Sequence, residues 1–274
     1  MSNTAVPIAL TIAGSDPSGG AGIQADLKTF TALGVYGASV ITALTAQNTR
    51  GVTGVHKVPA NFITAQFDAV VCDLNVSAIK TGMLSDEETV SVVVRLLSRH
   101  KPKYLVVDPV MVATSGDRLL DVAAIAAVRD ALIPLADLIT PNLPEAAALL
   151  GQPLAVTDDE VIAQARALLG LGCRAVLVKG GHGDGTEAVD YLLTGGKLAR
   201  LVKPRIATGN THGTGCTLAA AITAGLAKKL ALTEAVLDAK HFVWEALQSG
   251  ASHKIGAGSG PVDHLFRVRK HLPK

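Results

Sequence analysis

Short apolar runs alternate with helical segments along most of the chain, and this alternation limits the fold more than any other feature. The runs contain few polar residues, and most of them precede a segment with helical periodicity; they cover residues 8–13, 39–44, 76–79, 104–107, 138–139 and 175–178. Strands that are apolar on both faces are typical of a parallel sheet covered by helices on both sides. The sequence therefore predicts an α/β fold with a mostly parallel central sheet and helices on both faces. No Pro/Ser-rich linker or charge run divides residues 1–274, so we expect a single domain.

The ends of several predicted elements carry local signals. Thr157 and Glu160 have the spacing of a capping box at the start of a helix. Ser85, which precedes three acidic residues, is predicted to cap the helix that follows it, and Thr233 is predicted to cap another. Two short apolar runs within 187–202, separated by a pair of glycines, predict an antiparallel hairpin near an edge of the sheet.

Charge and cysteine content exclude several classes of protein. The formal net charge is +2 and no run of lysine or arginine exceeds two residues, so nucleic acid is not an expected partner. The three cysteines include no C-x-x-C pair, which suggests neither a disulfide framework nor a thiolate zinc site and fits a reducing cytosol. The apolar N-terminal run has no basic residue before it, the first being Lys28, and no apolar stretch reaches the ~18 residues of a membrane span. We therefore expect a soluble, cytoplasmic protein.

A glycine-rich stretch from Asn210 to Ala220 is predicted to bind an anion. Gly213 and Gly215 lack a Cβ, so their backbone can adopt positive φ and a charged ligand can approach the amides closely. The apolar run that follows predicts a buried helix over 217–229, whose first turn offers unpaired N–H groups and the positive end of the helix dipole. A phosphate group is the natural ligand. The alternative is an ordinary turn into a helix, with Thr214 as its cap.

The common nucleotide-binding loops are not supported. The glycine-rich loop at 14–22 follows a predicted strand and formally fits G-x-G-x-x-A, but no acidic residue lies between Asp26 and Asp68 to complete a dinucleotide site. The one Gly-Lys pair, Gly196-Lys197, is followed by leucine, so a Walker A loop is absent as well. If ATP binds, it binds without a P-loop.

Polar residues near the ends of predicted strands form a second group of candidates. Asp108 ends one apolar strand and Glu145 follows another, so both could hold Mg²⁺ through water at one rim of the sheet. Lys179 ends a third strand and could offset phosphate charge. The amides of Gln47 and Asn48 could pair with a heteroaromatic ring. Each residue alone also has an ordinary interpretation as a helix cap, a turn former, a solvated lysine or a loop residue.

Six motifs spread over nearly the whole chain are together more specific than any one of them. They are A-G-S-D-P-S-G-G-A-G-I-Q-A-D at 13–26, V-I-T-A-L-T-A-Q-N-T at 40–49, K-T-G-M-L at 80–84, V-D-P-V-M at 107–111, T-P-N-L-P-E-A at 140–146 and N-T-H-G-T-G-C-T at 210–217. With these motifs the chain closely resembles the hydroxymethylpyrimidine/phosphomethylpyrimidine kinases of thiamine biosynthesis, members of the ribokinase-like superfamily. The resemblance implies a three-layer α/β/α ribokinase-like fold without the separate β lid of the sugar kinases, and a homodimer. It also implies ATP as co-substrate, Mg²⁺ as cofactor, and phosphorylation of 4-amino-5-hydroxymethyl-2-methylpyrimidine to its monophosphate and then to the diphosphate.

The resemblance further implies roles for residues at matching positions. Gln47 would contact the pyrimidine, and three residues would lie near it: Asp26, Met83 and Val110. Glu145 with Asp108 would organise Mg²⁺ through water. The ATP-binding residues would be Asn142, Lys179, Thr211, Gly213 and Thr214. The catalytic residues would be Cys216, Lys179 and the anion-hole glycines Gly213 and Gly215.

Cys216 stands where the sugar kinases of the superfamily carry a general-base aspartate. A free thiol has a pKa of about 8.5, and a helix N-terminus is expected to lower it. Because phosphoryl transfer is largely dissociative, the accepting hydroxyl loses its proton late, and a modest base can suffice. The alternative is that Cys216 is only a small residue that lines the pocket.

Two other functions remain open. A pyridoxal or pyridoxine kinase is the nearer one, because a related branch shares the cysteine; Gln47 and the K-T-G-M-L stretch favour the pyrimidine. A non-catalytic sensor that keeps the pocket is the other, and the intact polar residues named above argue against it. Two short polar segments that contain glycine, 113–118 and 183–185, are candidate lids over the site.

Overall fold

An eight-stranded sheet forms the centre of the molecule, for which a computed structural model describes residues 6–111, 121–181 and 185–269. The strands of the chain are β1 (Ile8–Ala13), β2 (Tyr36–Ile41), β3 (Ala43–Asn48), β4 (Gly51–Lys57), β5 (Ala78–Thr81), β6 (Leu105–Val107), β7 (Leu138–Ile139), β8 (Ala175–Lys179), β9 (Glu187–Thr194) and β10 (Lys197–Pro204). The spatial order in the large sheet is β10-β9-β8-β7-β6-β5-β1-β2. The strands from β8 to β2 are parallel, and β9 is antiparallel to both of its neighbours.

Helices cover both faces of this sheet. They are α1 (Gly22–Ala32), α2 (Ala60–Val71), α3 (Glu87–His100), α4 (Val122–Ala127), α5 (Leu143–Leu150), α6 (Asp158–Leu169), α7 (Thr214–Ala227), α8 (Leu232–Gly250) and α9 (Phe266–Arg269). One apolar cluster joins the sheet to α2 through α6, and a second joins its other face to α1, α7 and α8. The predicted three-layer α/β/α arrangement is therefore confirmed.

The side chains of β1 show how the sequence divides between the two layers. Leu10 and Ile12 belong to the cluster with α2 and α3, whereas Ala9 faces the cluster that contains α7. Successive residues of a strand point to opposite faces, so this alternation places large side chains on one face and small ones on the other. The small residues let α7, itself rich in alanine, pack directly on the sheet.

Several local predictions are confirmed. The strand Leu138–Ile139 forms as predicted, and Thr157 and Glu160 make both bonds of a capping box. The predicted hairpin is formed by β9 and β10, which lie at one edge of the sheet.

Other predictions about element ends are wrong. Asp86, not Ser85, caps α3, since its side chain accepts a hydrogen bond from the Thr89 backbone N–H. The residue before α8 is Ala231, which makes no side-chain cap, so Thr233 lies inside the helix. The helix after the glycine-rich stretch begins at Thr214, earlier than predicted, with Gly213 as its cap residue.

The predicted strand at 39–44 is in fact divided between β2 and β3, and β3 pairs with β4 in a separate two-stranded sheet. Neither the apolar pattern of the sequence nor the resemblance, which implies no separate β lid, predicts this small sheet. The side chains of β3 and β4 are largely exposed, so they lack the continuous apolar pattern of a buried strand.

The topology brings the carboxyl ends of β1, β5, β6, β7 and β8 to one rim of the sheet. Because β10 runs parallel to β8, its carboxyl end lies at the same rim. Ligands of such sheets bind outside the carboxyl ends of the strands.

Among the helices of the described ranges, none has the length and apolar character required to span a membrane. The predicted lid segments, 113–118 and 183–185, lie outside the described residues except for Gly185.

Candidate active site

A cavity of about 1020 Å³ lies along the carboxyl rim. Gln47 of β3 lines it beside the loop after β1, and Pro204 lines it at the end of β10. Six strand spacings of about 4.8 Å separate β1 from β10, so the rim is roughly 29 Å long and can hold two ligands end to end. The cavity is also lined by most of the residues predicted from the sequence: Met83, Asp108, Val110, Asn142, Glu145, Lys179, Thr211, Gly213, Thr214, Gly215 and Cys216.

A lysine and two carboxylates meet near the middle of this rim. Lys179 Nζ lies 2.9 Å from Asp108 Oδ1 and 3.8 Å from Glu145 Oε2. Thr140 Oγ1 donates to the same Asp108 oxygen at 3.0 Å. Burial opposes the charge of Asp108, but Lys179 and Lys80 hold the pKa of this carboxyl below its usual value. Asp108 is therefore an ionised carboxylate next to a protonated lysine.

Glu145 also belongs to a capping box at the start of α5. Its backbone N–H donates to Asn142 Oδ1 at 2.8 Å, and its carboxylate accepts the Asn142 backbone N–H at 2.7 Å. The ordinary interpretation of these two residues as helix caps is thus confirmed, and the same cap fixes both of them on the cavity wall. Burial, aided by the charge of Asp108 and opposed by Lys179, raises the pKa of Glu145 to about 7.

The chemistry of this group fits Mg²⁺. Both carboxylates offer oxygen ligands at the same rim, and Mg²⁺ is usually held by one or two carboxylates, by waters and by substrate phosphates. Within the described ranges, no group of three or more His, Cys, Asp or Glu side chains could hold a metal ion. Two carboxylates suit a hydrated Mg²⁺ ion whose other ligands are waters or phosphate oxygens.

The glycine-rich stretch forms a tight turn at the start of α7. Gly213 has φ 77°, and a Cβ on it would lie 1.8 Å from Gly20 O, so only glycine fits. A Cβ on Gly215 would lie 3.3 Å from Lys179 Nζ and 3.9 Å from Asp108 Oδ2. The first turn of α7, with the positive end of its dipole, therefore faces the lysine and carboxylate group. An anion bound there would meet backbone N–H groups and Lys179 together.

The prediction that the helix N-terminus lowers the pKa of Cys216 is wrong. This side chain is half-buried beside the cavity, and its removal from water raises the pKa of the thiol to about 11. Lys80 and the Gly22 backbone N–H act to lower it, whereas the charges of Asp26 and Asp108 act to raise it further. At neutral pH the thiol is therefore almost entirely protonated in the protein without ligands.

Asp26 lies behind the cavity wall rather than on it. Its carboxylate bonds Lys80 Nζ at 2.8 and 2.9 Å and accepts the Thr11 hydroxyl at 2.6 Å. Asp26 and Lys80 have no exposed side-chain surface. Burial raises the pKa of Asp26 although Lys80 opposes the rise. Asp26 can therefore act on a substrate only through its neighbours.

The sequence alone does not predict Lys80 as a site residue, although Lys80 begins the motif K-T-G-M-L. Its partner Asp26 lies 54 positions away in the sequence. The available signal was a lysine at the end of a predicted apolar strand. A charged residue at such a position is buried and requires a partner.

The residues near Gln47 form the end of the cavity next to β1. The Thr45 hydroxyl donates to Gln47 Oε1 at 3.2 Å, and the strand register shifts between Ala46 and Gln47. Met83 is buried here, and its backbone carbonyl accepts the Thr42 hydroxyl at 2.7 Å. An amide beside apolar side chains suits a flat ring with polar edges.

Two further pairs of ionisable side chains line the cavity, and the sequence does not predict them. Lys240 Nζ lies 2.6 Å from Asp190 Oδ2, and Gly180 N–H donates to the other oxygen of that carboxylate at 3.0 Å. His212 Nε2 lies 2.7 Å from Asp16 Oδ2. The members of each pair are distant in sequence, so local patterns could not reveal them.

The chain is similar to known proteins over most of its length. A family model described as phosphomethylpyrimidine kinase matches residues 16–263. The chain is 56% identical over 260 residues to the hydroxymethylpyrimidine/phosphomethylpyrimidine kinase of Rhizobium meliloti, covering 95% of this chain and 97% of that one. It is 49% identical over 258 residues to a thiamine biosynthesis bifunctional protein of Geobacter sulfurreducens, covering 94% of this chain and 52% of that one.

Among solved structures, a Bacillus subtilis pyridoxal kinase in complex with ADP is similar in fold. Its TM-score is 0.88 at 38% sequence identity, with 95% of this chain and 98% of that chain covered. A likeness of this extent agrees with the ribokinase-like fold expected from the sequence. The match of the family model to most of the chain, together with the close relative that it aligns with end to end, shows that this chain belongs to the phosphomethylpyrimidine kinase family.

Proposed function

We propose that this protein transfers the γ-phosphoryl group of ATP to 4-amino-5-hydroxymethyl-2-methylpyrimidine, and then phosphorylates the resulting monophosphate to the diphosphate, for thiamine biosynthesis. One observation carries the proposal: a single cavity is lined by Gln47, by the contacting pair Lys179 and Asp108, and by the glycine turn before α7. The names of the relatives from Rhizobium meliloti and Geobacter sulfurreducens support the choice of substrate and pathway.

In this proposal each substrate occupies its own part of the cavity. The pyrimidine ring binds near Gln47, Met83 and Val110. The triphosphate lies toward the start of α7, where Lys179 and the backbone N–H groups around Gly213 neutralise its charge. Asn142, Thr211 and Thr214, which also line the cavity, complete the ATP site.

In the first reaction, the hydroxymethyl oxygen forms a bond to the γ-phosphorus while the bond between that phosphorus and the β,γ-bridging oxygen breaks; in the second, an oxygen of the monophosphate takes the place of the hydroxymethyl oxygen. ADP leaves with the electron pair of the broken bond. The chain's main contribution is to align the two oxygens and to stabilise the charge on the transferring group through Lys179 and the glycine turn. Mg²⁺, held through water by Asp108 and Glu145, would add charge neutralisation at the phosphates when bound.

Cys216 accepts the hydroxyl proton in this mechanism. The thiolate of a thiol whose pKa is about 11 is a strong base that few molecules carry at neutral pH. A small fraction of thiolate is sufficient because the hydroxyl proton leaves late in a loose transition state. Lys80 and the Gly22 N–H, which both favour the thiolate, support the assignment.

Product analysis tests the proposed function. The protein is incubated with ATP and Mg²⁺ and with either hydroxymethylpyrimidine or its monophosphate, and products are identified by mass spectrometry. We expect the monophosphate and then the diphosphate, with one ADP formed per phosphoryl group transferred. A protein that binds both substrates but forms no phosphorylated product would instead be the non-catalytic sensor.

Pyridoxal is the second candidate substrate, since the fold matches a pyridoxal kinase closely. Parallel incubations with pyridoxal and pyridoxine decide between the two rings. A kcat/KM for pyridoxal above that for hydroxymethylpyrimidine would reverse the proposed preference.

We also propose that the protein is a single-domain, cytosolic homodimer that associates through the β3–β4 sheet. Two-stranded sheets are marginal without further packing, and two large apolar side chains, Leu44 and Val55, are exposed on this one. Phe62 is also exposed, in the first turn of α2, the helix that follows β4. Three free cysteines, one of them exposed, fit a reducing compartment.

Light scattering after gel filtration tests the dimer. Leu44→Glu should give a monomer, whereas Leu198→Glu on β10, at the opposite edge of the large sheet and also exposed, should leave the dimer intact. A wild-type monomer at micromolar concentration would overturn this proposal.

A further inference from the structure

Asp16 organises the loop at 14–22, which follows β1. Its Oδ1 accepts the backbone N–H and the hydroxyl of Ser18, at 2.9 and 2.7 Å. Its Oδ2 accepts the backbone N–H groups of Gly20 and Ala21, at 3.1 and 2.8 Å. Burial acts to raise the pKa of Asp16, but these bonds and the contact with His212 hold it well below its usual value. The loop is therefore wrapped around one buried carboxylate.

His212 connects this carboxylate to the glycine turn. Its Nε2 lies 2.7 Å from Asp16 Oδ2, and the ring is buried at the cavity wall. Since an ionised carboxylate only accepts hydrogen bonds, we assign the Nε2 hydrogen to the histidine. A Cβ on Gly20 would lie 2.3 Å from His212 Cδ2, so the ring sits directly against that glycine. His212 immediately precedes Gly213.

Two more contacts join the same two segments. Gly213 packs on the Gly20 carbonyl, where a Cβ would lie only 1.8 Å from the oxygen. The Gly22 backbone N–H forms a hydrogen bond that lowers the pKa of the Cys216 thiol, so the other end of the loop contacts the first turn of α7. The Asp16–His212 contact therefore closes a ring of contacts that encloses the glycine turn and the thiol.

We propose that His212 is a positioning residue for phosphoryl transfer, which through its contact with Asp16 fixes the turn at 213–216 against the loop at 14–22. This inference rests on the proposed kinase function. His212 need not contact the transferring group itself. Its effect is on the placement of backbone N–H groups, and stabilisation of the transition state by such groups depends on their being held in place before the reaction.

Two substitutions separate this role from mere filling of space. Gln carries its side-chain N–H₂ as many bonds from Cα as the Nε2 of histidine, so His212→Gln keeps a donor for Asp16. His212→Leu fills a similar volume without a donor. Both variants are compared with the wild-type protein for kcat, for the KM of ATP and of hydroxymethylpyrimidine, and for thermal unfolding.

We expect His212→Leu to lower kcat roughly 10- to 100-fold, the range for small misplacements of catalytic groups, with little change in the KM of hydroxymethylpyrimidine. His212→Gln should recover most of that loss. A kcat for His212→Leu within about threefold of wild type would overturn the proposal, as would equal losses in the two variants.

A second readout does not depend on substrate. Amide hydrogen exchange of a peptide covering 211–217 should be faster in His212→Leu than in wild type and close to wild type in His212→Gln. Unchanged exchange in His212→Leu would contradict the proposal. If the wild-type protein phosphorylates none of the candidate substrates, the proposed function fails, and exchange alone decides the role of His212.

Discussion

Replacement of Gly213 by alanine tests the geometry of the glycine turn most sharply. Gly213 has φ 77°, and its Cβ would lie 1.8 Å from Gly20 O. Ordinary contacts begin at 3.4 Å, so the turn and the loop at 14–22 must separate by about 1.6 Å to admit the methyl group. A misplacement of about 1 Å can cost about 100-fold in rate, so we expect Gly213→Ala to lower kcat at least that much.

Gly196→Ala is the matched control for this variant. Gly196 has φ 74°, but nothing lies within 4 Å of its Cβ position in the β9–β10 turn. Both variants carry the strain of a left-handed alanine, about 1–2 kcal/mol, whereas the collision is confined to Gly213. Steady-state assays and urea unfolding of both variants separate the two effects. Equal kcat values for Gly213→Ala and Gly196→Ala would show that the collision with Gly20 O does not slow the reaction.

Three further predictions concern charged and titratable groups. Lys80→Met should reduce the free energy of unfolding in urea by roughly 3–5 kcal/mol, because it leaves a buried carboxylate without its partner. Lys57→Met, which removes the exposed lysine of a pair with the partly buried Asp86, should cost no more than about 1 kcal/mol. Similar losses in the two variants would contradict this prediction. Since the pKa of Cys216 is raised to about 11, the rate of its alkylation by iodoacetamide should increase about tenfold per pH unit up to about that pH. Exposed Cys72 serves as the internal control. A rate for Cys216 that stops increasing by pH 9 would contradict the raised pKa. Glu145→Gln should raise the Mg²⁺ concentration needed for half-maximal activity. Glu160→Gln is the control, because Glu160 has the same position in a capping box that is remote from the cavity, and it should leave that concentration unchanged. An unaltered magnesium titration for Glu145→Gln would count against a role of Glu145 in holding Mg²⁺.

The central strands of the main sheet, β1 and β5 to β8, could be predicted because they are buried on both faces. Even the two-residue strand Leu138–Ile139 forms where the apolar run predicts it. Cap residues with a reciprocal partner three positions away were also predictable, as Thr157 and Glu160 show. In both cases the signal lies within a few neighbouring residues.

The missed features depend on contacts between distant parts of the chain. The small β3–β4 sheet has mostly exposed side chains, so no apolar period marks it. The partners Asp16 and His212 are 196 positions apart. The pKa of Cys216 was predicted in the wrong direction because the helix start was apparent from the sequence, whereas the burial and the neighbouring carboxylates were not.

In the proposed mechanism, backbone N–H groups at the start of α7, aided by Lys179, hold the phosphoryl group that is transferred. A crystal structure with a non-hydrolysable ATP analogue, Mg²⁺ and hydroxymethylpyrimidine tests it directly. We predict oxygens of the terminal phosphate at about 2.7–3.2 Å from backbone nitrogens of 213–216, with the hydroxymethyl group on the side of Gln47. A terminal phosphate bound elsewhere, with those nitrogens unoccupied in the ternary complex, would contradict the account.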